Sequence, residues 1–168
     1  MDERILVKRA VLGEREAFAQ LYTLYKDRLY RYAYFKLGRE TDAQDAVSDC
    51  VVKAFENIKS LRSEKAFPAW IFKILYRTCA EILSRRSAEQ EREDIVNLAE
   101  KEDSSYLPLA PELSEALALL KAEDRDIVLL AVIAGYNSRE IAKITGKKPS
   151  TVRSRLSRSL AKMREFLE

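Results

Sequence analysis

The chain has 168 residues, enough for one ordinary domain or two small ones, and 47% of them are apolar against four Gly and four Pro, a balance that fits a compact helical protein. The net charge is only +3, so the total says little about partners. The absence of histidine removes the commonest general base and the commonest metal ligand.

The first stretch, MDERILVKRAVLGERE, is too charged for a signal peptide. No apolar run approaches the roughly 20 residues that a membrane span needs. Residues 17–37 are apolar at helical spacing through Phe18, Leu21, Tyr22, Tyr25, Leu29 and Tyr32, and Gly38 stops that helix. Five of the eight tyrosines fall between Tyr22 and Tyr34. Such a stripe can stack on bases, but a core role is the better reading. The next helix is expected to start at Thr41, with Thr41 and Gln44 at capping-box spacing. Its buried face is Ala46, Val47, Cys50, Val51, Ala54, Phe55 and Ile58. At about 100° per residue, Asp45, Asp49, Val52 and Glu56 line the opposite face. A valine inside an acidic stripe suits docking by a basic partner helix, and it equally suits a solvated face with one stray apolar residue.

A loop over residues 60–68, SLRSEKAFP, precedes a third helix that begins AWIFKILYRT. Trp70, Ile71, Ile74, Leu75, Thr78, Cys79 and Ile82 share one arc. Lys73, Arg77, Ala80 and Ser84 share the other, with Tyr76 at the margin. Cations beside aromatics after a basic loop can bind nucleic acid, and an ordinary amphipathic helix carries the same pattern. Cys50 and Cys79 match no CxxC spacing and sit on apolar stripes, which predicts buried thiols in a reducing compartment. A soluble, cytoplasmic protein is expected.

Residues 87–111 carry seven acids against two bases, with Ser-Ser and two prolines, and read as a linker that contains the domain boundary, helical at most in its early part. Beyond it lie four helical segments: one marked by Leu113, Ala116, Leu117 and Leu120, one by Ile127, Val128, Leu130 and Val132 up to Gly135, a short one capped by Asn137 with Glu140, and a last one from Pro149 to about Leu167. The expected fold is all-α: a helical bundle over 1–86, an acidic linker over 87–111, and a helix-turn-helix domain over 112–168, this last too small for more than modest stability alone.

The short helix, a Gly turn and the final amphipathic helix describe the helix-turn-helix, with Ala142 and Gly146 small where the two helices pack. On the last helix Val152, Leu156, Leu160, Met163 and Leu167 are expected to face the core. Thr151, Ser154, Arg155, Arg158 and Lys162 occupy the opposite arc, flanked by Arg153, Ser157 and Arg164. Residues 139–164 hold nine bases against Glu140. Arg at such positions can fork onto guanine, and Ser or Thr can bond base edges or phosphate. Lys147 and Lys148 stand where the helix begins, a place that favours phosphate. Duplex DNA is the polyanion this end fits.

REIAKITGKKPSTVRSRLSRSLAKMREFL resembles the C-terminal promoter-recognition region of bacterial sigma factors of the extracytoplasmic-function class. AFAQLYTLYKDRLYRYAYFKLG, DAQDAVSDCVVKAFENI and FPAWIFKILYRT resemble the core-binding and promoter-melting region of the same class. The resemblance covers residues 5–86 and 112–167, two motif sets in the right order.

It implies that 1–86 binds core polymerase and melts the −10 element, and that 112–168 recognises the −35 element. Asp45, Asp49, Val52 and Glu56 would dock on the polymerase β′ clamp helices. The loop at 60–68, with Ser63, Lys65 and Phe67, would capture a flipped base of the single-stranded −10 element, beside Trp70, Lys73, Tyr76 and Arg77. Lys147, Lys148, Thr151, Arg153, Ser154, Arg155, Ser157, Arg158 and Lys162 would meet the −35 duplex. The acidic linker would thread near the RNA exit path. An anti-sigma factor is a further implied partner.

Three positions depart from the family pattern: Arg77 where Asn is usual, Ser48 where Gln is usual, and Lys148 where a Ser cap is frequent. The polymerase would do the chemistry, so no enzyme, no cofactor and no small-molecule substrate is expected. No Gly-rich phosphate loop or recognisable carboxylate pair argues otherwise. The competing reading is a stand-alone helix-turn-helix regulator that does not bind polymerase. It gives the acidic-valine stripe and the Trp70 region no task.

Overall fold

A computed structural model of the chain describes residues 2–92 and 111–168. Most of the linker expected over 87–111, from 93 to 110, lies outside the described residues. The chain divides into two compact units, one on each side of residues 102 and 103.

The first unit holds α1 (Glu3–Val11), α2 (Arg15–Leu37), α3 (Glu40–Asn57) and α4 (Phe67–Arg92), with short 3₁₀ turns at Ile58–Ser60 and Glu64–Ala66. Helix α1 was not anticipated from the charged N-terminal stretch. The Asp2 carboxylate caps it by accepting from the Arg4 N–H at 3.1 Å, and Leu6, Val7 and Ala10 bury its inner face against α2. Helix α2 ends where Gly38 takes the left-handed conformation at φ 75°, and the Gly38 N–H bonds the Tyr34 carbonyl.

Helix α3 corrects the expected capping box. It begins one residue before Thr41, at Glu40, and has no side-chain cap. The Gln44 amide donates instead to the Glu40 carboxylate at 3.5 Å. Helix α4 starts at Phe67 and packs against α2 and α3. Tyr25, Leu29, Tyr32, Phe67, Phe72 and Leu75 are fully buried at the centre; of the tyrosine stripe, Tyr25, Tyr32 and Tyr34 are core and Tyr22 and Tyr30 are half-buried. Large aromatics dominate such a core and prefer edge contacts, as Tyr32 makes on Phe72 with centroids 6.0 Å apart. Both thiols are buried, and the Cys50 S–H donates to the Ile71 carbonyl.

The second unit holds α5 (Pro111–Ala118), α6 (Ala122–Val128), a π-helical turn at Leu129–Ile133, α7 (Ser138–Thr145) and α8 (Pro149–Leu167). The wide turn was not legible in the apolar run LLAVI. It leaves Val132 exposed, although the sequence pattern put it with the core. Asn137 and Glu140 form the reciprocal capping box as expected. Gly146 closes α7 at φ 78°. A Cβ there would meet nothing within 4 Å, so its backbone conformation requires glycine and the close helix packing expected there does not. Lys148 precedes α8 without a side-chain cap bond, and Pro149 occupies the first turn.

Candidate docking and nucleic-acid interfaces

Helix α3 presents Asp45, Asp49, Val52 and Glu56 on one exposed face, because Ala43, Ala46, Val47, Cys50 and Ala54 bury the other. Val52 is 55% exposed. Phe55, expected in the core, is 45% exposed and makes an edge contact with Phe18, centroids 5.2 Å apart. Val52 and Phe55 are three residues apart, so one apolar step sits within the acidic stripe. That spacing was the signal for including Phe55. Asp45 and Asp49 also line a polar cleft of about 210 Å³ with Arg39, Asp42, Arg85 and Arg86.

The loop before α4 is braced from beneath by α1, which packs on both 3₁₀ turns, and Lys8 lies 3.9 Å from Glu64. Ser63 and Lys65 are exposed there. Phe67 is not: it is 0% exposed, edge-on to Tyr25 at 5.2 Å and 5.9 Å from Trp70. Its expected place among the base-capturing residues is therefore corrected to a core position beneath them. Trp70, Lys73 and Tyr76 are half-buried, and Arg77 is exposed. The Tyr25 hydroxyl donates to Glu3 at 3.0 Å, and the Arg28 guanidinium sits 4.4 Å over its ring. Burial first, then the Glu3 charge, holds that hydroxyl protonated well above its ordinary range.

On α8 the core seam is Val152, half-buried Leu156, Ser159 and Met163. Ser159 is 4% exposed, whereas Leu160 and Leu167, expected inside, are 37% and 48% exposed. With Leu113, Leu117, Val128 and Val132 they line an apolar groove of about 410 Å³.

Of the expected reading residues, Lys148, Arg153, Ser154, Ser157, Arg158 and Lys162 are exposed and Thr151 is half-buried. Lys147 and Arg155 differ. Lys147 Nζ lies 3.5 Å from Glu123, while Arg155 Nη1 lies 2.9 Å from Glu123 and 3.3 Å from Asp124. Arg155 therefore leaves the free arc on which its spacing placed it. Glu123 and Asp124 were not singled out from the sequence, and their place in the first turn of α6 was the available signal. Lys147 foremost, then Arg155, holds the Glu123 carboxyl below the usual carboxylate range.

Residues 21–89 match the family Sigma-70 region 2, and residues 111–163 match Sigma-70, region 4. The chain is 31% identical over 144 residues to the RNA polymerase sigma factor SigV of Bacillus subtilis (strain 168), covering 84% of this chain and 86% of that one. It is 29% identical over 164 residues to the ECF RNA polymerase sigma factor SigM of Mycobacterium tuberculosis, covering 96% and 83%.

Its fold is similar to CnrH in complex with the cytosolic domain of CnrY, with a TM-score of 0.75, 26% identity, and 98% and 96% of the two chains covered. It is also similar to the sigma factor RpoE of Bartonella quintana in complex with the anti-sigma factor NepR, with a TM-score of 0.76, 25% identity, and 89% and 96% covered.

A two-unit helical chain with these two regions in this order is a promoter-directing subunit of bacterial RNA polymerase. The chain belongs to the sigma-70 family, in its extracytoplasmic-function (ECF) class. A stand-alone regulator would not carry the first region, so that alternative is not favoured. Among the described residues no helix is long and apolar enough to cross a membrane.

Proposed function

We propose that the two units divide promoter work between them, residues 1–86 docking on core polymerase and opening the −10 element, residues 112–168 reading the −35 duplex. The observation that carries this reading is the exposed face of α3, where Asp45, Asp49, Val52 and Glu56 surround an apolar step with carboxylates. A basic partner helix with one apolar side chain matches it in charge and shape, and the β′ clamp helices are the assigned partner.

Ser63 and Lys65 then meet the displaced strand, with Trp70, Lys73, Tyr76 and Arg77 behind them on α4. Exposed cations take phosphates, and the partly buried ring of Trp70 is a rigid wall against which an unstacked base can rest. On α8 the outward group Arg153, Ser154, Ser157 and Arg158 suits base edges, with Lys148 and Lys162 on phosphate and Thr151 at the margin.

CnrH and the Bartonella quintana RpoE are each held by a second protein in their solved complexes. An anti-sigma factor is accordingly assigned to this chain as well. Sigma factors are in general not enzymes. RNA synthesis here belongs to the polymerase, in the cytoplasm. Run-off transcription with core polymerase and a genomic promoter library tests the whole reading: promoter-dependent transcripts that require the chain support it, and failure to bind core polymerase overturns it.

A further inference from the structure

We propose that Glu123 and Asp124 temper the grip of α8 on DNA by holding back Lys147 and Arg155. The inference rests on the reading of α8 as the DNA-facing helix. Lys147 and Arg155 stand on either side of the first turns of α8, eight residues apart, yet both converge on the Glu123 carboxylate at 3.5 and 2.9 Å. The same Arg155 nitrogen bridges to Asp124 at 3.3 Å. These two cationic side chains are only 24% and 32% exposed, while Arg153 and Arg158 stand outward.

Protein–DNA affinity that ignores sequence comes mainly from cations that neutralise phosphates and release counterions. A cation already neutralised by a carboxylate adds little to that term, and phosphate must compete with Glu123 and Asp124 to claim it. The outward residues that suit base edges are left unmasked. The latch therefore lowers the phosphate-driven, sequence-independent part of binding.

The test is fluorescence anisotropy of the full chain on a labelled mixed-sequence duplex, with Kd followed against NaCl concentration. Glu123→Gln/Asp124→Asn should bind several-fold tighter. Its log–log salt slope should steepen by about 2, since each added phosphate contact contributes about 0.9. Adding Arg155→Gln to that double variant should remove about half of the gain. Unchanged or weaker binding by the double variant overturns the latch.

Circular dichroism confirms the fold of each variant. Should the double variant unfold, Glu123→Gln alone carries the test: it releases Lys147, leaves Arg155 on Asp124, and should steepen the slope by about 1. An unchanged slope then overturns the proposal. Arg158→Ala separates the two readings. If it weakens binding while the carboxylate variants change nothing, the latch fails and the DNA face stands. If it has no effect, the DNA face itself fails.

Discussion

The guanidinium of Arg86 donates a hydrogen bond to the carbonyl oxygen of Leu37 at 2.9 Å. The same side chain pairs with the Asp42 carboxylate, and both partners are largely shielded from solvent. One residue late in α4 thus ties the last carbonyls of α2 to the first turn of α3, the helix that presents the acidic stripe. Charge-assisted bonds of this kind contribute about 1.5–3 kcal/mol. Arg86→Ala should destabilise the first unit by about that much. Trp70 is the single tryptophan and lies in this unit, so urea unfolding followed by its fluorescence reads the loss directly. Arg86→Lys should restore only part, because an ammonium cannot span both acceptors in a planar fork. Full recovery by lysine would refute the two-acceptor tie.

Phe67 offers a sharper contrast. Its ring is sealed between Tyr25 and Trp70. Phe67→Ala should cost about 3–5 kcal/mol in the same assay, the usual range for a buried aromatic truncated in place. A surface residue used only for base capture would change stability by no more than about 0.5 kcal/mol. A small effect would return Phe67 to the DNA-contacting group.

For docking, Asp49→Arg reverses the charge at the middle of the exposed α3 face. Its affinity for core polymerase should fall at least tenfold, equivalent to about 1.4 kcal/mol, while the circular dichroism spectrum stays unchanged. Biolayer interferometry against immobilised core polymerase measures it, and equal affinity would remove the stripe from the docking surface. Phe55→Ala should weaken the same interaction, as the apolar step is shared by Val52 and Phe55.

Alkaline pH provides a test of the core. Burial pushes the Cys50 thiol from its ordinary 9.0 up to about 12. The folded state thus favours the protonated form. This contribution is complete below pH 9.0 and is lost as pH rises toward about 12. Tyr25 is shifted in the same direction by burial and by Glu3. The urea midpoint should therefore fall as pH climbs through this window, and less steeply in Cys50→Ala. Identical slopes for the two proteins would mean that Cys50 does not carry the effect.

The long helices α2, α3 and α4, the short α7 and the reading helix α8 were legible because their apolar residues recur at helical spacing. The errors have specific physical causes. A seam read at every fourth residue, Val152–Leu156–Leu160, advances about 40° too far at each step, since four residues turn about 400°. The structure follows 152, 156, 159 and 163, so serine is buried at 159 and leucine faces the groove at 160.

Arg155 looked free because its partners, Glu123 and Asp124, lie more than thirty residues earlier in the sequence. Pairing across that separation is set by how α6 and α8 pack and leaves no local pattern. Phe67 sits in a loop-like context, and Tyr25 arriving from α2 and Trp70 from the next turn of α4 enclose it. The Thr41–Gln44 spacing was genuine, but the helix had already begun at Glu40, which took the Gln44 amide.

Both native cysteines are fully enclosed by helices of the first unit. Maleimide dyes react with accessible thiolates, and neither thiol offers one. The wild-type chain is therefore already a blank background for site-specific labelling. A single cysteine placed at exposed Ser63 or Ser157 would carry the only reactive sulfur, so that strand capture and groove entry can be timed separately as a polymerase engages its promoter.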